Sequence, residues 1–363
     1  MSDDSAMLRD SVTKMLAAHY DFAARKRYLA TPQGWSDEMW GRYAGLGLTA
    51  LGLPEAQGGL GGVEELAIVF EAFGRALAME PLLASTVLGA TAVSRAGSDA
   101  QQARILPQVA EGSLRLALAH AEPGSRHGGA IATAASRDGE AWRLLGRKAN
   151  VLHGDSAGLL VVSARLPDGA TGLFLVEPDA AGLVRHGGRL QDGTRIADLI
   201  VDKAPAEKLD GNGAAALEAS EQAGLAALLS SCVGAMDAAL GLTVDYMKTR
   251  QQFGRAIGSY QALQHRAADM LVAVEEARSM AAMASEALAE PDPARRTADL
   301  SRAKVVVARC GRFVGQQAVQ LHGGIGMTEE YAAGHYLRFL TVANLMFGDA
   351  EWHLARLAEQ LEA

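Results

Sequence analysis

The chain has 363 residues, 49% of them apolar, with 34 Lys and Arg against 42 Asp and Glu for a net charge of −8. That length exceeds one simple core and points to two or three packed domains, while a mildly acidic balance argues against non-specific nucleic-acid binding, which needs clustered cations. Two cysteines in unlike contexts, Cys232 and Cys310, give neither a disulfide framework nor a zinc spacing and read as small buried hydrophobes.

The N-terminal stretch MSDDSAMLRDSV carries acidic residues where a secretory signal needs basic ones. No apolar run approaches the roughly 18–20 residues of a membrane span. The expectation is a cytoplasmic protein without a membrane span.

The first third reads as helical. Met7, Leu8, Val12, Met15 and Leu16 recur at three- and four-residue steps, and Leu66, Val69, Phe70 and Phe73 do the same within Glu64–Leu77. Between them Gly45–Gly62 is rich in glycine and carries Pro54, which predicts an irregular connection. From Ser113 to about Asp210, short apolar runs (LRLALAHA, LLVVSARL, GLFLVEP, ADLIVD) alternate with Gly, Asp and Pro. These are strand signals with no long helix between them, so an all-β domain is expected and a parallel βαβ sheet is not.

After Gly213 the pattern is helical again. Ala267, Met270, Leu271, Val274, Ala277 and Met280 mark a helix over Gln264–Leu288, ended by Pro291 and Pro293, and two more follow over Arg302–Leu321 and Glu351–Leu361. Segregated blocks imply an α+β architecture. The expected domains are an all-helical 1–112, a β domain 113–212 and a second helical domain 213–363. No internal repeat is present.

Chemical motifs are few. Gly211-Asn-Gly213-Ala-Ala-Ala216 matches a dinucleotide fingerprint, but the KLD before it is too short and polar for the buried strand that motif needs, so a linker is expected. The nine histidines show no ligand spacing, and no metal site is expected. Glu275–Glu276 and Glu329–Glu330 are adjacent pairs whose side chains diverge by about 100° on a helix.

The segment Tyr246–Gln264 (YMKTRQQFGRAIGSYQALQ) is different. An aromatic and two cations close one helix, Phe253-Gly254 breaks it, and Ser259 is placed to cap the next. Arg250, near a helix C-terminus, could aim its fork at a phosphate. An ordinary helical corner with a surface arginine fits the same residues, and physics alone favours it. Gln320–Gly326 (QLHGGIG) ends a helix in paired glycines that let backbone approach a ligand, or act as a plain C-cap.

Together the two segments resemble the acyl-CoA dehydrogenase family. The pattern R-x-x-F-G-x-x-I-x-x-x-Q is present as Arg250, Phe253, Gly254, Ile257 and Gln261, and Q-x-x-G-G-x-G as Gln320, Gly323, Gly324 and Gly326. The stretch Leu53-Pro-Glu-x-x-Gly-Gly-Leu-Gly61 and the turn Ala121-Glu-Pro-Gly124 also fit, so the resemblance covers nearly the whole chain. It implies an N-terminal helical domain, a central β-barrel-like domain and a C-terminal four-helix bundle. It also implies FAD. Arg250, Phe253, Gln261, Gln320, Gly323 and Gly324 would touch the ADP side of a neighbouring subunit's cofactor. The turn Leu118–Ser125, with Ala121, and the segment Asn150–His153, with Val151 and Leu152, would face the isoalloxazine ring. The implied reaction is α,β-dehydrogenation of an acyl-CoA thioester, with a carboxylate removing the α-proton and electrons passing to an electron-transfer flavoprotein.

The sequence departs from the family at the chemistry. The family's T-E-P-G turn has Ala121 for threonine, and its W-I-T segment reads Asn150-Val151-Leu152. Of the two places where the family carries its catalytic Glu, one holds Phe347, in Met346-Phe347-Gly348-Asp349, and the other Gly224. A general base is worth about 10²–10⁴-fold in rate. Asp349 is one candidate, with an N-cap role as its plainer reading, and Glu221, about one turn from Gly224, is another. Otherwise a partner chain supplies the base, and FGDAEWH resembles the small subunits of bacterial two-subunit acyl-CoA dehydrogenases. The expected assembly is a dimeric or tetrameric homo-oligomer or such a hetero-oligomer. A non-catalytic FAD-binding or structural subunit, and a different flavin oxidation on the same fold, are the alternatives.

Overall fold

The computed structural model describes residues 3–125 and 127–362. Helices α1 (Asp3–His19), α2 (Phe22–Leu29), α3 (Asp37–Gly45) and α4 (Val63–Ala76) come first. A π-helical turn, Leu83–Gly89, runs into α5 (Ala90–Ala96), and α6 (Asp99–Ala110) follows. Strands β1 (Leu116–Ala119), β2 (Ala134–Asp138), β3 (Ala141–Leu152), β4 (Leu159–Arg165), β5 (Thr171–Val176), β6 (Leu183–Arg189) and β7 (Arg195–Lys208) form the middle. The last part holds α7 (Gly213–Thr249), a small hairpin of β8 (Gln251–Gln252) and β9 (Arg255–Ala256), α8 (Gln261–Ala287), α9 (Pro293–His322), a 3₁₀ turn Gly323–Met327, α10 (Ala333–Leu345) and α11 (Ala350–Glu362). Chain order is therefore helices, sheet, helices, as the alternation of periods predicts.

By packing, the chain divides into two compact units. One takes the chain up to Lys26, Val63–Ala78 and everything from Leu225 onward. The other takes Arg27–Gly62 and Met79–Gly224.

The helical unit is organised on α7, α8 and α9. Met236, Ala239, Met270, Val274, Ala277, Val307 and Val314 form its buried centre. Small residues let α4 and α7 approach closely. A Cβ built at Gly74 would overlap the carbonyl of Ser231, and one at Gly234 that of Glu71. Glu71 accepts from Arg278 at 2.5 Å, and Arg75 pairs with Asp237 across the same contact. The buried Arg25 donates to Leu77 O at 2.9 Å and meets His335 Nδ1 at 3.2 Å.

The expectation that no segment is long and apolar enough to span a membrane needs correcting. Helix α7 passes that test by length and composition, because alanine and glycine dilute its runs without adding charge. In its most apolar window 78% is buried within the protein, as in the core helix of a bundle. Helix α9 begins earlier than Arg302, at Pro293 in the first turn, where Asp292 accepts from Ala294 N at 2.9 Å.

In the other unit the strands close on themselves. β4 pairs β2, β2 pairs β3, β3 pairs β7, β7 pairs β5, and β5 returns to β4. β1 and β6 lie outside this ring on β4 and β7. Most pairings are antiparallel, but β1 and β2 both run parallel to β4. Alternate residues Leu144, Leu160, Val162, Phe174, Leu199 and Val201 fill the barrel.

A strand does precede Gly211: β7 ends three residues earlier, at Lys208. It is antiparallel to its neighbours, so the fingerprint context is still missing. The glycines there serve packing, since a Cβ at Gly213 would sit 2.6 Å from Thr171 O and one at Gly211 2.9 Å from Ala96 Cα.

Candidate active site

In the helical unit, α7 ends at Thr249 and Arg250 N still donates to Tyr246 O at 2.8 Å, so Arg250 stands at the helix C-terminus as the sequence implies. Phe253 takes a left-handed conformation (φ 52°), followed by Gly254 (φ 81°), which turns the β8–β9 hairpin. The turn leaves Phe253 90% exposed, its ring edge-on to Tyr260 at 6.4 Å. Ser259 does not cap α8. Its hydroxyl donates to Ala256 O at 2.7 Å inside a 3₁₀ turn, and Tyr260 occupies the N-cap without a side-chain bond. The first amides of α8 are thus left without a side-chain cap beside the exposed Gln261, which suits an anionic ligand.

Helix α9 ends at His322, and Gly323 (φ 63°) reverses the chain. Built Cβ atoms at Gly323 and Gly324 meet nothing within 4 Å, so this corner is open to a ligand's close approach. Gln320 is exposed beside it. The structure brings the two motifs together. Tyr246, from the first, lies 4.6 Å from the His322 ring at the second, and Tyr331 closes the group at 4.9 Å from His322. Arg250 has no carboxylate partner among the described residues. An unpaired guanidinium, amide side chains and open glycine backbone fit the phosphate and adenine portions of a dinucleotide.

The turn that the resemblance gives to the base is fixed from below. Lys304, fully buried, donates to Ala343 O at 2.7 Å and Met346 O at 2.8 Å. Burial pushes its pKa down to about 8. His353 Nε2 donates to Phe347 O at 2.9 Å, while its Nδ1 meets Ser301 Oγ at 3.0 Å. Phe347 is held left-handed (φ 54°) and packs on the bundle core. Asp349 Oδ1 accepts from Trp352 N at 2.9 Å, the N-cap bond of α11. A side chain aimed into its own helix terminus is poorly disposed to take a substrate proton.

In the barrel unit, the turn after β1 is tied to the end of β3. Ala149 N donates to Ala121 O at 2.8 Å. Lys148, with no exposed side-chain surface, donates to Glu122 at 2.7 Å, to His120 O at 3.1 Å and to Ser163 Oγ at 3.1 Å. Burial raises the Glu122 carboxyl, but bonds from Lys148 and then from Thr133 and Ala132 outweigh it and hold the group at about 2. For Lys148 burial wins and the pKa falls despite Glu122. The short contact and the amides of Ala132 and Thr133 on Glu122 favour the ionised form of the pair.

His120 Nδ1 meets Ser163 Oγ at 2.9 Å, and its pKa falls to about 4 through burial and then Lys148, so the ring is neutral at pH 7. Glu221 Oε1 lies 4.0 Å from His120 Nε2, too far for a hydrogen bond. Gly224, one turn on in α7, carries no functional group.

Ala121 and Ser125 are exposed, and Leu118 and Leu152 are mostly covered. Val151 is 2% exposed and points into the barrel, leaving only its backbone to meet a ligand. Left-handed Asn150 and His153 bracket Val151 and Leu152, and Asn150 N donates to Asp198 at 3.0 Å. This turn and strand end offer backbone and apolar side chains rather than charge. Sequence reasoning missed the Lys148 network, His322 with Tyr331, and the Lys304–His353 clamp. A lysine inside an otherwise alternating strand was the available signal for the first.

Two domain families match the chain: acyl-CoA dehydrogenase, N-terminal domain, over residues 2–113, and acyl-CoA dehydrogenase, C-terminal domain, over residues 212–362. The chain belongs to the acyl-CoA dehydrogenase family. It is 31% identical to the acyl-CoA dehydrogenase FadE12 of Mycobacterium tuberculosis, over 95% of this chain and 92% of that one. Among solved structures it superposes on a variant of the Tcur3481–Tcur3483 steroid ACAD with a TM-score of 0.91 and 31% identity, covering 99% of this chain and 98% of that one. The ChsE4–ChsE5 complex from M. tuberculosis matches with a TM-score of 0.90 and 25% identity over 100% of this chain and 98% of that one.

Proposed function

We propose that this chain takes part in FAD-dependent α,β-dehydrogenation of an acyl-CoA thioester as one subunit of a hetero-oligomer, its longer dehydrogenase-like partner carrying the base. The carrying observation is the contrast within the helical unit. The corner that would face the cofactor is open, with Arg250 unpaired at the end of α7 and bare backbone at Gly323 and Gly324, while the base position holds Phe347, packed on the core. When bound, FAD supplies the acceptor for the β-hydride. Arg250, Gln261 and Gln320 would hold the phosphates and adenine side of a neighbouring subunit's FAD, Phe253 would cover that part, and Gly323 and Gly324 would admit it. The turn Leu118–Ser125 and the backbone of Val151 and Leu152 would face the ring. Two of the similar structures are named as pairs of unlike chains, which supports the heteromeric reading. An electron-transfer flavoprotein is the proposed electron acceptor.

The test is anaerobic titration with a panel of acyl-CoAs, on the purified chain and on the chain co-purified with a longer homologue. Flavin bleaching by the pair and none by the single chain is the expected result. Bleaching of the single chain would place a base here and overturn the partner's role. A pair that stays colourless with added FAD would remove the cofactor.

A further inference from the structure

We propose that His322 is a positioning residue that locks the Arg250 turn and the Gly323 corner into one cofactor-facing surface. The inference rests on the FAD reading above for its purpose, and on geometry alone for its existence. The two loops leave different helices: one follows the end of α7, the other the end of α9. His322, 3% exposed, stands between them. The Tyr246 ring lies against it at 4.6 Å in a tilted contact, 32° between the planes and so nearer face-on than edge-on. Tyr331, just beyond the glycine corner, packs at 4.9 Å from His322 and 6.3 Å from Tyr246.

The imidazole is itself immobilised. Its Nδ1 lies 2.7 Å from Ala318 O, and because a carbonyl only accepts, the proton sits on Nδ1. Burial holds its pKa below the usual value against the carbonyls of Ala318 and Leu242, so the stack is a neutral one. The corner then folds back onto the same residue: a Cβ at Gly326 would lie 2.9 Å from His322 Cβ. One side chain therefore fixes the α7 exit through its face and the glycine corner through its stem. Arg250 is four residues beyond Tyr246, and Gly323 directly follows His322, so both ligand-facing groups inherit the register of the stack.

Hydrogen exchange on the flavin-free chain, together with flavin-fluorescence titration of FAD on the assembled enzyme, tests this with His322→Ala, His322→Phe and Tyr331→Ala. In His322→Ala, amides of 250–258 and of 323–328 should both exchange faster, and FAD should bind about ten-fold more weakly, the scale of losing two ring contacts. His322→Phe keeps the ring without the Ala318 bond and should restore protection in both segments. Tyr331→Ala, nearer the surface, should show the same paired loosening in smaller measure and serves if His322→Ala does not fold. Faster exchange in 323–328 with 250–258 unchanged in the alanine variants overturns the coupling. A His322→Phe protein that behaves like His322→Ala overturns the stack as its cause. Failure of the wild type to bind FAD would sink the proposed function and leave the exchange result standing.

Discussion

Arg250 is exposed, carries no ion pair among the described residues, and stands at the end of a helix it does not brace. Its removal should therefore cost ligand and not fold. Arg250→Met is expected to weaken FAD binding about 10–100-fold, the range of a lost charge-assisted bond, with the thermal midpoint of the flavin-free protein unchanged; a calorimetric scan beside a fluorescence titration reads both. Glu122 behaves in the opposite way, because its interactions are internal. Its folded pKa of about 2 lies below the ordinary 4.5, so it contributes stability above pH 4.5 that is lost as pH falls from there toward 2. Urea midpoints measured between pH 6 and 2 should fall through that window, and in Glu122→Gln that part of the fall should be missing. Arg250, Gly323 and Gly324 could be proposed for ligand contact because a motif fixes their spacing. The Lys148 network was not legible, because His120, Glu122, Lys148 and Ser163 meet only once β1, β3 and β4 are side by side.

At the scale of elements, the strongest sequence signals were the changes of period, and they placed the helical and β blocks well. Ends were harder. Ser259 has the composition of a cap, yet the chain reaches α8 through a 3₁₀ turn that uses its hydroxyl elsewhere. Asp349 has the same composition and does cap, so Asp349→Ala should cost about 1 kcal/mol in denaturant unfolding and leave flavin reduction in the assembled enzyme essentially unchanged. A hundred-fold fall in that rate would make Asp349 a base after all. The close contact of α4 and α7 leaves no room for a side chain at Gly234, facing the Glu71 carbonyl. Gly234→Ala should lower stability by about 3 kcal/mol or more, since overpacking here meets backbone that cannot turn aside. Nothing in the local sequence of either helix announces that contact, because it depends on which faces meet.

For the whole molecule, chain order and packing order differ. The first helix and α4 pack with the last helices, while α3, α5 and α6 belong with the barrel. A reading that runs along the sequence divides the N-terminal helices from the rest as one block, since periodicity reports that a face is apolar and not what covers it. The family resemblance supplied the barrel and the bundle that alternation alone left open. At this scale the expected linkage is between cofactor and assembly. Adding FAD to the co-purified pair should raise its thermal midpoint as the ligand concentration climbs above the dissociation constant, and the same addition to the single chain should do less. An equal rise in both would mean that this chain holds its own cofactor.

The two cysteines, set aside at the outset as small hydrophobes, have a practical side. Cys232 and Cys310 are both buried, and burial, with Glu276 adding to it for Cys310, pushes each thiol up to about 12. At pH 8 roughly one such thiol in ten thousand is ionised, so a maleimide or disulfide reagent should find the native protein inert and count two thiols only after denaturation. A fluorophore or spin label could then be attached through Gln252→Cys, on the exposed hairpin, without first stripping the native cysteines. Its distance to a second label on a partner chain would report, in solution and in real time, when and how the subunits exchange.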